Sequence, residues 1–280
     1  MGLRQLFAPA VYPLTLSEAR AQLRVDHSAD DGEILRYLRT ATAEVERLSA
    51  RQIVDAKWRY TLREWPEFED DENEIALPRA PLAAVDAITY LDGDGTRQAL
   101  SASRYVAALN DEPGTIEPAY GLYWPAAREI ADSIRIDYWA GMALPITQID
   151  DDVFTTTGRP LATGDEVMLW SAGDTPTNLE AGKPYFVIGA SASGAQATFQ
   201  LSTSSGGSAI TSIGALGDSL WITHNWQLFA TARQAVALLL GHRQEAREDT
   251  ASEQSYQIPR GVEHLIEQLQ YGAEFYRWSL

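Results

Sequence analysis

Apolar residues recur at spacings of four and three through Ile34, Leu38, Ala41, Val45 and Leu48, which predicts a helix over about 31–49 with one buried stripe. Asp30, with Glu33 three residues on, marks its start as a capping pair. Thr15 and Glu18 form the same arrangement ahead of a shorter helix over about 16–23. The helical period returns late in the chain. Phe229, Ala232, Val236, Leu239 and Leu240 share the inner side of a helix over about 227–248, and Val262, Leu265, Ile266 and Leu269 share that of one over about 260–271. Neither helical end carries enough apolar surface to be stable alone, so the two are expected to close on each other.

Between Ile53 and Tyr138 the period shifts towards two. Runs such as WRYTLREW, VDAITYL and SIRIDYWAG are rich in aromatic and β-branched residues and are separated by Pro and Gly, which predicts a compact antiparallel β section. Pro78 and Pro81 are expected at a strand edge, where a missing amide donor does least harm. From about 147 to 225 the composition turns to Gly, Ser, Thr and Ala, with strands expected in DDVFTTT, DEVMLWS, KPYFVIGAS, ATFQLSTS and DSLWIT. The expected fold class is α+β: a helical bundle core with an antiparallel β section and an inserted all-β module. The expected domains are a core of residues 1–146 and 226–280 and a module of residues 147–225.

Composition narrows the chemistry. The formal charge is −17, and only Lys57 and Lys183 are lysines, which argues against a surface that grips phosphate backbones. The chain contains no cysteine, so thiolate nucleophiles, disulfides and cysteine-based metal sites are excluded. The longest apolar run, AVALLLG at 235–241, is far short of the roughly 20 residues that a bilayer-spanning helix needs. The N-terminus shows no secretory pattern, and synthesis in the cytoplasm is expected.

Four motifs suggest catalysis or metal binding and fail on inspection. GDSL at 217–220 matches a hydrolase serine block, but His224, His242 and His264 have no Asp two or three residues ahead to orient a base. GASASG at 189–194 is not a G-x-S-x-G elbow, and GRPLATGDE lacks the Gly-Lys-Ser/Thr of a phosphate loop. YLDGDGTR at 90–97 opens like a calcium loop with Asp92 and Asp94. It then has Arg97 where the loop needs Gly and Ser103 where it needs a bidentate Glu, so a two-residue Asp-Gly hairpin is expected. Neither an enzyme nor a resident metal or cofactor is expected.

The order of the pieces carries more information than any one of them. YPLTLSEARAQLRVDHSADDGEILRYLRTATAEVERLSARQI, WRYTL, LPRAPLAAVDAITYLDGDGTRQAL, RYVA, EPGTIEPAYGLYWP, IRIDYWAGM, ATARQAVALLLGHRQEARE and IPRGVEHLIEQLQYG together resemble the phage head–tail connector family. These are the HK97 gp6-like adaptor, or head-completion, proteins of tailed phages, prophages and gene transfer agents, and the resemblance covers about residues 12–146 and 226–272.

It implies a structural protein at the neck of a virion. Copies would form a ring, often of twelve, that joins the portal protein to the stopper or tail-side neck protein while genomic DNA passes through the lumen. It also implies that Val262, Leu265, Ile266 and Leu269 lie on a portal-docking helix, and that Tyr271, Phe275, Tyr276, Arg277 and Trp278 lie on a tail reaching the portal. Burial of each large aromatic side chain contributes about 1.5–3 kcal/mol, which suits such a use. Ring closure needs two complementary faces per subunit, for which Arg36, Arg39, Glu44, Glu46 and Arg47 are candidates.

The sequence departs from the family by inserting residues 147–225 and by ending in FYR rather than a Pro-Tyr-Arg-like motif. The other reading is a monomeric binding module whose β insert recognises a carbohydrate or host surface.

Overall fold

The computed structural model describes residues 1–66, 73–193, 196–217, 219–223, 225–245 and 258–270. The chain divides into two compact units, one containing Met1–Ala8 with Asp55–Gly141 and the other Pro9–Val54 with Met142–Gln270.

The first unit is an antiparallel sheet with a smaller sheet beside it. Strands β1 (Gly2–Phe7), β2 (Ala56–Leu62), β8 (Ile134–Ala140), β4 (Leu82–Leu91) and β5 (Arg97–Leu100) run in that spatial order. β3 (Ile75–Ala76), β7 (Thr115–Pro118) and β6 (Tyr105–Ala108) form the smaller sheet. Alternation along β8 sends Ile134, Ile136 and Tyr138 to one side, where they bury against Ile88, Leu77 and Ile116. The Tyr138 hydroxyl is satisfied inside that core by the Pro78 carbonyl at 2.7 Å. Pro78 and Pro81 stand in the connection between β3 and β4.

The second unit combines four helices with a barrel. α1 (Leu16–Leu23) opens with the predicted capping box: the Glu18 amide donates to Thr15 Oγ1 at 3.2 Å, and the Thr15 amide donates to Glu18 Oε2 at 2.7 Å. α2 (Asp31–Ser49) has Asp30 at its N-cap without a side-chain capping bond, and Arg20 pairs with Asp31 there instead. α3 (Trp226–Glu245) and α4 (Arg260–Leu269) follow the barrel. The barrel is closed in the order β10 (Val153–Thr157), β13 (Gln196–Ser202), β12 (Pro184–Ser193), β11 (Glu166–Ser171), β14 (Leu220–Thr223) and β9 (Ala143–Asp150). Phe154, Phe199, Leu169, Val187 and Leu201 fill its interior. The β9–β10 hairpin is a two-residue turn in which Asp151 and Asp152 take φ of 47° and 62°, the conformation that matches strand twist.

The expected helical bundle core is not present. Among the described residues four short helices account for 24% and strands for 35%, so the chain is mostly β with some helices. The reason is visible in the packing. Ile34, Leu38 and Val45 of α2 meet Phe229, Val236 and Leu240 of α3 and Ile266 of α4, but the same cluster includes Met142, Ala143 and Trp221 from the strand side. The helices complete a core with barrel strands rather than enclosing one of their own, and the other two cores are built mainly from strand residues.

Candidate interaction surfaces

The apolar stripe assigned to portal docking is occupied within its own subunit. Val262, Ile266 and Leu269 on α4 are buried in the helical core and Leu265 packs at its rim, so these side chains hold α4 onto the unit. The outward face of α4 carries Glu263, His264, Glu267 and Gln268. Tyr271, Phe275, Tyr276, Arg277 and Trp278 lie outside the described residues.

The charged residues of α2 divide into two groups. Glu44 pairs with Arg243 of α3, and Glu46 accepts from Gln52 Nε2 at 2.7 Å and from the Ile53 amide at 3.0 Å. Both carboxylates thus secure the subunit internally. Arg36 pairs with Glu33 at 2.9 Å and is exposed, as are Arg39 and Arg47, and these three arginines face solvent.

YLDGDGTR is a hairpin with a three-residue loop rather than the expected two. The Asp92 amide donates to the Thr96 carbonyl at 3.0 Å, and Gly95 takes φ of 85° where a Cβ would be strained. The Asp92 carboxylate accepts from the Thr96 and Asp94 amides at 2.8 and 3.1 Å and from Gln98 Nε2 at 2.8 Å. These donors, Gln98 first, hold its pKa below the usual carboxylate value and use the oxygens a cation would need. Among the described residues no group of three or more His, Asp or Glu could hold a metal ion. Ser219 of GDSL is buried, with its hydroxyl 3.5 Å from Glu18 Oε1.

Two features had no sequence signal strong enough to nominate them. The first is Arg233, a buried cation on α3. It donates to the Pro13 carbonyl and to Glu18 Oε1, and it stacks on Trp170 of β11 with its guanidinium carbon 4.1 Å from the ring centroid. Burial pushes its pKa down while Glu18 pulls it up. Glu18 therefore closes the α1 cap and neutralises Arg233 at once, tying α1, α3 and the barrel together.

The second is an aromatic turn at Ala119–Leu122, closed by the Leu122 amide on the Ala119 carbonyl at 2.8 Å. Gly121 supplies φ of 73° at its third position, and Tyr120 at the second is fully exposed. Leu122, Tyr123 and, on the edge strand β6, Val106 are exposed as well. Large apolar side chains thus stand exposed on this loop and on the neighbouring strand edge.

No protein-family model and no curated protein matches the chain. Solved structures do. A chain in the neck of an empty GTA particle, computed with C6 symmetry, is 21% identical with a TM-score of 0.55, over 97% of this chain and 96% of that one. A chain in the virion of the native gene transfer agent (GTA) particle is 21% identical with a TM-score of 0.55 and the same coverage. A chain in the neck of the native GTA particle, computed with C12 symmetry, is 20% identical with a TM-score of 0.53. The likeness shows a shared fold, and coverage of 97% leaves too few residues unmatched to omit the barrel.

Proposed function

We propose that this chain is a structural protein of a virion neck, without enzymatic activity, and that it acts as a head–tail adaptor. The observation that carries the reading is the end-to-end likeness to chains of GTA necks, over 97% of this chain and 96% of the matched one. The ordered pieces that resemble the HK97 gp6-like connector family support the finer assignment. In that assignment copies form a ring, with twelve the expected number, that joins the portal protein to the tail-side neck protein while DNA passes through. The C6 and C12 symmetries belong to the matched particles and agree with such a ring.

In this reading residues 147–225 are a module grafted onto the adaptor core. Its end strands pair with each other, Thr223 opposite Ala143, so the chain enters and leaves the barrel at one place, as an inserted domain requires. The outward face of α4 and the aromatic segment from Tyr271 onward form the portal-facing end. The side chains of Val262, Ile266 and Leu269 stay in the subunit core and support that end from within.

The test is genetic and visual. Removal of the gene is expected to leave DNA-filled heads and finished tails that fail to join, and complementation to restore joined particles with this chain at the neck. Removal of residues 271–280 is expected to weaken portal attachment while the subunit stays folded. Joined, DNA-retaining particles that have lost only adsorption to cells would sink the adaptor reading and favour a host-binding module.

A further inference from the structure

The outward face of the five-stranded sheet reverses the sign of the chain's charge. The buried alternation of Ile134, Ile136 and Tyr138 leaves Arg135 and Asp137 on the opposite side of β8. The register then sets Arg4, Arg59 and Asp137 in one row across β1, β2 and β8, and Thr61, Arg135 and Thr89 in the next. Arg97 of β5 reaches the same face, donating to Thr89 Oγ1 at 3.3 Å and to the Ser133 and Asp132 carbonyls at 3.2 and 2.9 Å.

Lys57 pairs with Asp86 at 2.7 Å, Arg59 with Asp137 at 2.6 and 2.7 Å, and Arg135 with Asp132. Among the described residues Arg4 and Arg97 have no carboxylate at ion-pair distance, so the face carries a surplus of positive charge. Partial burial first, and then Arg135 and Arg59 nearby, lower the pKa of Arg97 despite Asp132. Meanwhile the barrel segment is strongly acidic. Residues 147–225 hold eight Asp and Glu against Arg159 and Lys183, and Asp150, Asp151 and Glu166 are exposed.

We propose that this basic sheet face docks the acidic barrel of a second copy of the chain, head to tail, each copy offering the face to one neighbour and its barrel to the other. The proposal rests on the ring reading above and supplies its contact. Copies that each carry −17 repel unless oppositely charged surfaces meet, and a ring needs two different complementary faces on every subunit. DNA fits the face less well. Asp86, Asp132 and Asp137 would meet its phosphates, and the guanidinium forks of Arg59 and Arg135 are already engaged by carboxylates.

Arg97→Lys and Arg4→Lys keep the charge and add a reactive amine at the face, in a chain whose other lysines are Lys57 and Lys183. Heads lacking the chain are completed in vitro with an equal mixture of light and heavy-nitrogen protein, then treated with a carbodiimide that couples amines to touching carboxylates. The expected products are mixed-isotope peptides joining position 97 or 4 to barrel carboxylates, with the same-chain Lys57–Asp86 link as internal control.

With the chain present at the neck, links to another virion protein, links to a different part of the second copy, or the control link alone would each overturn the docking. So would protection of these amines that disappears when packaged DNA is removed. Absence of the chain from purified necks would instead sink the adaptor reading, so the two failures are distinguishable.

Discussion

The barrel and the five-stranded sheet are both antiparallel, yet they treat their surfaces in opposite ways. The barrel pairs its first and last strands and packs Phe154 and Phe199 inside at 5.3 Å, so it has no free edge and its interior apolar side chains meet one another. The open sheet leaves β1 and β5 as edges, buries one face and turns a charged face with more cations than carboxylates outward. β1 is exposed along nearly its whole length, with Leu3 and Leu6 open to solvent. A closed element satisfies itself, whereas an open one has main-chain and side-chain capacity to spend on partners. Under the proposed ring assembly the open sheet is therefore the natural place for subunit contacts.

The sharpest way to break this comparison is to damage each core separately. Phe199→Ala removes a ring stacked inside the barrel and should cost about 3–5 kcal/mol. Hydrogen exchange should rise through β9–β14 and leave β2, β4 and β8 protected. Equal loss of protection in both sets of strands would show that the barrel is not self-sufficient. Next in size, Arg233→Ala removes the buried cation that pairs with Glu18 and stacks on Trp170 and should cost about 3 kcal/mol, by the logic of breaking one side of a buried pair. If Arg233→Ala melts within a degree of wild type, Arg233 does not tie α1 and α3 to the barrel.

A smaller loss is expected from Gly141→Ala. A Cβ there would lie 2.3 Å from Asp55 Oδ1 and 2.5 Å from its Cα, which forces backbone apart at the end of β8. Overpacking of that kind costs about 1–3 kcal/mol. The effect should appear as faster exchange in β8 and β2. A stability unchanged from wild type would mean that the close approach relaxes freely.

How far the sequence foretold these regions follows from how local each cause is. The capping box of Thr15 and Glu18 and the buried stripe of α2 are set within a few residues, and both are found as expected. The hairpin at Asp92 was legible as a turn, but its loop length depends on Asp92 pairing with Thr96 across the strands, which spacing alone does not fix. The bundle failed because periodicity shows that a helix has an apolar side and not what covers it. Trp221 and Met142, distant in sequence from the helices, complete that core. Arg233 has no distinguishing sequence pattern, because Pro13, Glu18 and Trp170, which surround it, are distant along the chain. The basic sheet face was hidden by the same non-locality, since its rows exist only once β1, β2, β8 and β4 are in register.

The smallest effect tests the sheet's polar side through pH. Hydrogen bonds, first from Gln98 and then from the Thr96 amide, depress the pKa of Asp92, and the bond from Arg135 depresses that of Asp132. A carboxylate whose folded pKa lies below its unfolded value of about 3.9 stabilises the fold above that value and loses the contribution as pH falls through the folded one. The open sheet should therefore loosen at the β4–β5 hairpin in acid below about pH 4, and not at neutral pH. Both groups are largely exposed, so the change is small and is best read from carboxyl chemical shifts. Midpoints below about 3.9 are expected for Asp92 and Asp132. Asp92→Ala should destabilise the hairpin at pH 7 and should cost progressively less as acid protonates the wild-type carboxylate. A cost for Asp92→Ala that does not change between neutral and acidic pH would show that the charge on Asp92 contributes nothing, leaving the loop to be set by Gly95 and strand pairing alone.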